Sequence, residues 1–508
     1  MASRLAPPGM AAVGAVLIGL SLPPADITPF AWICLVPFLI AIRSCRSAPR
    51  SVACSIIFVL IFGSVFSAWL PGTIEAFFHK SPLVAWLSAL GVYAAFGLVP
   101  IGLFAALAHA TLRRESAVAI LIGIPCLWVG AELFRVHLLG GLPWALLGHA
   151  FYRYPILIQI GDITGVFGVS FMVAMVNAGL FLAIAGPSGG RRTLVPLLVA
   201  TGVVALVCLY GRARMAAAPA GPSLAVGILQ PNRLPVYNWT RLEADRALIS
   251  YLRLSMQHFT DRDVDIILWP ENAIPVYPER DRPLQSRLAR LTRQLGAPLI
   301  LGAPAAPRDG DESTVFIGAH LITPAGLAGT YHKQRLVPFA EFSPVARQPT
   351  LDPGTVFGTG TEPTIFTHAG IKWGPTICLD FMFSDVVRAT VQAGAQVLVN
   401  LSNDSWLAAG GPGAAIQQHA QSVFRAVESK RDVARATTTG ISAVVTATGE
   451  VRGLLGEGEI GALITTVTPR SELTVYTRWG DAFALGCAVL GLLCALGAPR
   501  TRRSDLDA

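Results

Sequence analysis

"GPTICLDFMFSDV", residues 374–386, sets one cysteine between a strand-like apolar run and what reads as the first turn of a helix. That residue, Cys378, is the only cysteine between Gly211 and Ala482. The others, Cys34, Cys45, Cys54, Cys126, Cys208, Cys487 and Cys494, lie in or beside long apolar stretches, where a thiol serves as a small apolar filler. With no partner in its own block, Cys378 cannot close an internal disulfide, and a reactive role is the sharper reading.

The surrounding chain is far too apolar for one soluble domain: 508 residues, 53% hydrophobic and 14% charged, with a mean hydropathy of +0.56. Stretches near the ~20 residues needed to cross a hydrocarbon core fall at about 9–23, 27–43, 52–70, 83–110, 116–134, 163–186, 193–211 and 481–498. The first follows Arg4, but "SLPPAD" offers no small-x-small cleavage site, so it reads as a span and not a leader. The reading is therefore a seven-span membrane region (1–211), a small-residue tether (212–222), a block of ordinary soluble composition (223–472) and a last span (481–498). Arginines cluster after alternate spans, at Arg43, Arg46 and Arg50, Arg113 and Arg114, Arg191 and Arg192, and Arg500, Arg502 and Arg503, whereas the other loops hold Lys80, Arg135 and Arg153. Positive loops stay cytoplasmic, so both termini are expected in the cytoplasm and the soluble block outside it. The net charge of +8 is then a topology signal and not a nucleic-acid footprint, for which a basic-aromatic stripe is missing.

In the soluble block, strand-like runs at 223–230, 264–270, 298–304, 315–323, 372–380, 395–403 and 441–448 alternate with helix-like segments at 241–259, 283–296, 384–393 and 414–434. This alternation predicts an α/β layered domain with functional residues at strand ends. Three such ends carry chemistry. "ILWPENAIP" ends on Glu271 beside Trp269 and Pro270, apolar surroundings that raise a carboxyl pKa and suit a general base. "YHKQRLVPFAEF" holds Lys333 and, eight residues on, Glu341. "PTICLDFMF" carries Cys378 and Asp380. Singly, each has an ordinary explanation, as a helix cap, a surface charge or a core thiol; a base, a cation and a thiol at three strand ends of one domain point to nucleophilic catalysis. No H-E-x-x-H or CxxC spacing exists, and no metal or cofactor is expected.

The order Glu, Lys, Cys with these flanks resembles the nitrilase superfamily. Together with "GGLPWALLGHAFYRYPILIQIGDITGVFGVSF" (140–171), "WPENAIP", "HKQRLVPFAEFSP", "NLSNDSWL" and "QQHAQSVFRAVESKRDVARATTTGISAVV", the chain resembles that superfamily's membrane-embedded branch, the apolipoprotein N-acyltransferase family. The resemblance implies a polytopic helical membrane domain carrying an extracytoplasmic α-β-β-α sandwich in the bacterial inner membrane. It implies transfer of a fatty acyl chain from a phospholipid, through a cysteine thioester, to the α-amino group of the diacylglyceryl-cysteine that begins an apolipoprotein. Carried onto this sequence, Cys378 is the nucleophile, Glu271 the base, Lys333 the positive group and Glu341 a further carboxylate, with the Leu379 N–H and Lys333 placed to hold the oxyanion. Three positions depart from the family pattern: Leu379 and Asp380 replace Tyr-Glu, "PFAE" replaces Pro-Phe-Gly-Glu, so that Ala340 must avoid angles suited to glycine, and "NDSWL" lacks a phenylalanine.

Both implied substrates are membrane-anchored, so "SWLAAGGPGAA" (405–415) is expected to be a mobile lid over Cys378, with Trp406 and the neighbouring Asn403 as substrate-binding candidates. "LPWALLG" (142–148) reads as an interfacial segment, and Glu132 and Asp162 as residues that cap or orient helices. Two alternatives share these features: a membrane-tethered amidase using water as second substrate, and an inactive paralogue that binds lipoproteins.

Overall fold

The computed structural model describes residues 6–186, 194–216, 221–233, 240–307, 314–342 and 356–497. Arg191, Arg192, Arg500, Arg502 and Arg503, part of the tether, and the Ser-Pro that closes "HKQRLVPFAEFSP" lie outside the described residues. The chain divides into two compact units, 1–216 with 481–508, and 217–480.

In the first unit, five helices among the described residues are long and apolar enough to cross a membrane: Ala48–Phe66, Pro82–Arg113, Ala117–Gly140, Val166–Ala185 and Leu194–Ala216. Shorter apolar helices occupy Pro7–Ser21, Thr28–Ser44, Pro155–Thr164 and Ala482–Leu496. Expected spans at 9–23, 27–43 and 481–498 thus fall on shorter helices; the 15 residues of Pro7–Ser21 rise only about 22 Å. Pro23 and Pro24 cannot extend that helix, because neither has an N–H to donate. The stretch 27–43 is broken into a 3-10 turn, Thr28–Trp32, and an α-helix, Leu35–Ser44. Asn177 stitches the break: its Oδ1 accepts from the Leu35 N–H (2.8 Å) and its Nδ2 donates to the Ala31 carbonyl (2.9 Å), satisfying backbone that the interruption leaves open.

Glu132 and Asp162 orient elements of this unit. Glu132 Oε1 accepts from Trp128 Nε1 (3.0 Å) and from the Leu147 N–H (2.7 Å), fixing the irregular segment around Trp144. Asp162 accepts from the Tyr210 hydroxyl (2.7 Å) and Arg214 Nε (2.8 Å). The second contact explains why the last long helix runs on to Ala216, where a tether is expected from 212: Arg214 in its final turn is anchored to a buried carboxylate.

Among the described residues the second unit has thirteen strands: β1 (Leu224–Gln230), β2 (Ile266–Trp269), β3 (Leu299–Ala305), β4 (Thr314–Thr323), β5 (Gly326–His332), β6 (Val356–Phe357), β7 (Phe366–His368), β8 (Ile371–Ile377), β9 (Val397–Ser402), β10 (Asp432–Thr437), β11 (Ser442–Val445), β12 (Val451–Leu455) and β13 (Gly461–Val467). They form two sheets, ordered β13-β1-β2-β3-β4-β5 with β6 beside β4, and β12-β11-β10-β9-β8-β7. Alternation along each strand builds the layers. Val226, Ile228, Ile266 and Leu268 of one sheet and Ile377, Val397, Val399 and Leu401 of the other meet in one core. The opposite face of the first sheet, with Leu229, Ile267 and Trp269, packs on helices Arg241–Phe259 and Arg282–Leu295. Gly227 permits that approach, since a Cβ there would meet the Phe259 ring at 2.7 Å. Helices Ser384–Gln392 and Ala414–Ser429 cover the outer face of the second sheet. The layers run helix, sheet, sheet, helix.

One expected helix of this unit stops short. The helix expected over 414–434 ends at Ser429, where Lys430 turns left-handed (φ 50°), and Asp432 begins β10. Asp432 is buried but accepts from the Ala447 and Thr468 N–H groups, both at 2.8 Å, so the strand keeps charges that a helix-like reading assigns to a solvated face.

Candidate active site

Three turns deliver the expected residues. β2 stops at Trp269, locked by stacking on Tyr251 (4.8 Å between ring centroids) and by its Nε1 bond to Ser255 (3.0 Å). Gly302 of β3 then lets Glu271 pass close by, since a Cβ there would lie 2.5 Å from the Glu271 Cα. Lys333 follows β5, its N–H tied to the Ile317 carbonyl at 2.9 Å. Cys378 follows β8 and opens the 3-10 turn Cys378–Met382 with φ 45°, a left-handed angle that non-glycine residues adopt at a cost of roughly 1–3 kcal/mol and mainly at functional sites.

Lys333 is wholly buried, and its Nζ donates to Glu271 Oε1 (3.0 Å) and Glu341 Oε1 (2.7 Å). Glu341 Oε2 accepts from the Val337 N–H at 2.8 Å, which closes the 337–341 turn around the lysine. The left-handed angle in this turn falls on Phe339 (φ 65°), so alanine at position 340 meets no glycine-only requirement. Burial opposes the ammonium, but the Glu271 and Glu341 charges and the Cys378 sulfur outweigh it, and Lys333 is held well above its usual pKa. Burial pushes the Glu271 carboxyl up, Lys333 partly offsets this, and Glu341 reinforces it. Burial also pushes the Cys378 thiol up; Glu271 adds to the shift, and Lys333 opposes it. The chemical consequence follows from counting charge. A resting thiol beside one ammonium and two carboxylates leaves the cluster at a formal −1, and moving the thiol proton to Glu271 keeps it there. A thiolate formed without that transfer would add an uncompensated buried charge.

Asp380 is wholly buried and reaches its partners directly. Oδ1 accepts from the Gln334 (3.0 Å) and Arg335 (2.6 Å) N–H groups, and Oδ2 from the Tyr331 hydroxyl (2.7 Å) and the Ile377 N–H (3.1 Å). It therefore joins the Cys378 turn to the backbone next to Lys333. Burial pushes its carboxyl up to about 6. Leu379 is half-buried in the first turn of the 3-10 helix, whose amides lack partners within the helix. An Asp380→Asn enzyme is expected to lose about 10- to 100-fold in kcat, because an amide cannot accept at both oxygens and the unmet N–H costs roughly 1–3 kcal/mol. Steady-state kinetics on the purified variant test this; an unchanged kcat would refute the linkage.

Asn403 contributes through its backbone: its N–H donates to Glu271 Oε2 at 2.8 Å, while its side-chain Oδ1 accepts from the Ser405 hydroxyl at 2.6 Å. Trp406 is half-buried on the one-turn helix Ser405–Ala408, so the expected lid stretch is partly helical, with left-handed glycines at Gly411 and Gly413 before the next helix. A polar group beside Cys378, namely Asn400, Ser402, Asp404, Gln418 and Arg435, and the Tyr331 hydroxyl were not foreseen from the sequence. "NLSND" offered the only signal, as four polar residues in and after a strand.

Residues 14–179 match the apolipoprotein N-acyltransferase N-terminal domain, and residues 225–474 match the carbon-nitrogen hydrolase family. The chain is 32% identical over 497 residues to an apolipoprotein N-acyltransferase from Geobacter metallireducens, covering 94% of this chain and 92% of the relative. A relative of the same description from Gloeobacter violaceus is 29% identical, with 95% and 92% covered. Among solved structures, an amidase from Nesterenkonia sp. is similar over 52% of this chain and 95% of its own, at 20% identity and a TM-score of 0.38.

Proposed function

The chain belongs to the apolipoprotein N-acyltransferase family, and from that premise we propose how its residues move an acyl chain. The protein is an N-acyltransferase with a nitrilase-like catalytic unit: it transfers a fatty acyl chain from a membrane phospholipid to the α-amino group of the diacylglyceryl-cysteine of an apolipoprotein. Cys378 is the nucleophile and Glu271 the base. Glu271 takes the thiol proton as sulfur attacks the acyl carbonyl, and returns it to the departing lysophospholipid oxygen. In the second half, Glu271 accepts the proton of the attacking amine while the C–S bond breaks, and sulfur recovers that proton. Lys333, kept charged by two carboxylates, and the Leu379 N–H stabilise the oxyanion.

The observation that carries this reading is the buried Glu271–Lys333–Glu341 bridge, whose Glu271 and Lys333 charges act on Cys378, in a chain with five membrane-length apolar helices among the described residues. The finer topology belongs to the same proposal: eight spans, both termini in the cytoplasm, and the 223–472 unit on the outer face of the inner membrane. Expression in a strain depleted of its own N-acyltransferase tests the function. Triacylated lipoproteins are expected to return; viable expression without them would favour an amidase or a binding module.

Trp406 and the glycine-hinged stretch after it form the cover through which acyl chains enter. Trp406→Ala is expected to slow acyl transfer roughly tenfold, about 1.4 kcal/mol of barrier, with an unchanged melting profile. Normal turnover would remove the cover from the account.

A further inference from the structure

Resting on that reading of Cys378 as the nucleophile, a second polar system meets the same sulfur. β8 and β9 are parallel, with Ile377 opposite Leu401, so that Cys378 and Ser402 leave the sheet side by side. The Ser402 hydroxyl beside it draws the Cys378 thiol down against the upward push of burial and donates to Asp404 Oδ1 at 2.5 Å. Asp404 Oδ2 accepts from Arg435 Nη2 at 2.9 Å. Arg435 also donates to Asn400 Oδ1 and Gln418 Oε1, and Asn400 Nδ2 lies 3.5 Å from the Cys378 carbonyl. Ser402, Asp404 and Arg435 are all at least 98% buried. Between Ser402 and Asp404, Asn403 holds Glu271 through its N–H. Three consecutive residues thus serve the nucleophile and the base together.

A serine hydroxyl has one proton to donate and lone pairs to accept. While the sulfur is protonated or acylated, that proton points to Asp404. An anionic sulfur competes for it. Apolar residues of similar volume would hold the fold as well as a buried Arg435–Asp404 pair; what the pair adds here is a fixed acceptor against which the hydroxyl can turn. We propose that Ser402, poised by Asp404 and Arg435, is a switching hydrogen-bond donor that turns to the Cys378 sulfur whenever the thiolate is formed or expelled. It neither gains nor loses a proton: the thiol proton goes to Glu271 in thioester formation, and the thiolate expelled by the amine is reprotonated from Glu271. Asp404 and Arg435 are positioning residues. The charged or titratable groups facing the sulfur are then Glu271, Lys333 with Glu341, and Asp404 with Arg435, with Asp380 and Tyr331 beneath the turn.

The test is the rate at which iodoacetamide alkylates Cys378 in the full-length, detergent-solubilised protein, read by mass spectrometry of the Cys378 peptide across the pH range where that rate rises. Ser402→Ala is expected to slow alkylation at each pH by about 10-fold, the worth of one hydrogen bond to a charged group, and Ser402→Thr to restore it. Asp404→Asn is expected to speed it, because the variant removes a negative charge and frees the hydroxyl, and this gain is expected to shrink in the Ser402→Ala background. Ser402→Ala at the wild-type rate, or slowed equally by Thr, would overturn the proposal. So would Asp404→Asn that folds and alkylates no faster than wild type; if it does not fold, the alanine and threonine pair decides. Alkylation needs neither acyl donor nor acceptor, so failure here is distinct from failure of the acyl-transfer reading, which the complementation experiment reports.

Discussion

A Glu271→Gln enzyme is expected to form the thioester about 10²- to 10⁴-fold more slowly than wild type, the usual worth of a general base. Glutamine keeps the shape of the side chain, and its single oxygen can still accept from one of the two donors now on separate Glu271 oxygens, Lys333 Nζ on Oε1 and the Asn403 N–H on Oε2. What it cannot do is take a proton. The thiolate would then have to form without a proton acceptor in a buried cluster where the thiol is already pushed up, which is why kcat should fall while the KM for phospholipid stays near its original value. Single-turnover acylation with excess enzyme measures the step directly. A loss below tenfold would reassign the base.

Lys333→Met is expected to be worse, because it damages catalysis and fold together. Removal of one partner of a buried ion pair typically costs about 3–5 kcal/mol, and here Glu271 and Glu341 would face each other with no cation between them. The loss of an oxyanion donor adds about 10²–10³ in kcat. The variant should therefore melt at lower temperature and turn over at least 100-fold more slowly, on the order of an oxyanion-hole deletion. Lys333→Arg is not expected to rescue it: the site bonds a compact ammonium to two carboxylates in a space with no exposed surface, and a planar guanidinium does not fit that geometry. A Lys333→Met protein with wild-type melting would contradict the buried bridge.

The side chains proposed as catalytic stood out because each has an unusual neighbourhood in the sequence: one cysteine in a long soluble block, an acid directly after an apolar strand, a lysine in an arginine-rich chain. Two strands of the sandwich were harder to see, the edge strand β5 and the inner strand β10. β5 reads "GLAGTYH" and carries two glycines, and β10 reads "DVARAT", whose Asp432 and Arg435 mimic the charged face of a preceding helix until their buried partners are known. Ser402, Asp404 and Arg435 escaped notice for the same reason: their pairing spans 31 residues of sequence and depends on β9 and β10 lying side by side. The interrupted helix at 28–44 was hidden because its repair is distant, in Asn177. Asp380 was visible as a shortened acid, but not the Tyr331 hydroxyl that meets it.

What Cys378 carries when a donor is present and an acceptor is not decides whether acyl transfer runs through a thioester. Purified full-length protein incubated with a phospholipid of defined acyl chains, then digested for mass spectrometry, should show the Cys378 peptide heavier by one acyl group. That mass should be lost on treatment with hydroxylamine or on addition of a diacylglyceryl-cysteine peptide, which becomes N-acylated. An unmodified Cys378 in a preparation that still acylates the peptide, or acyl mass on another residue, would contradict it.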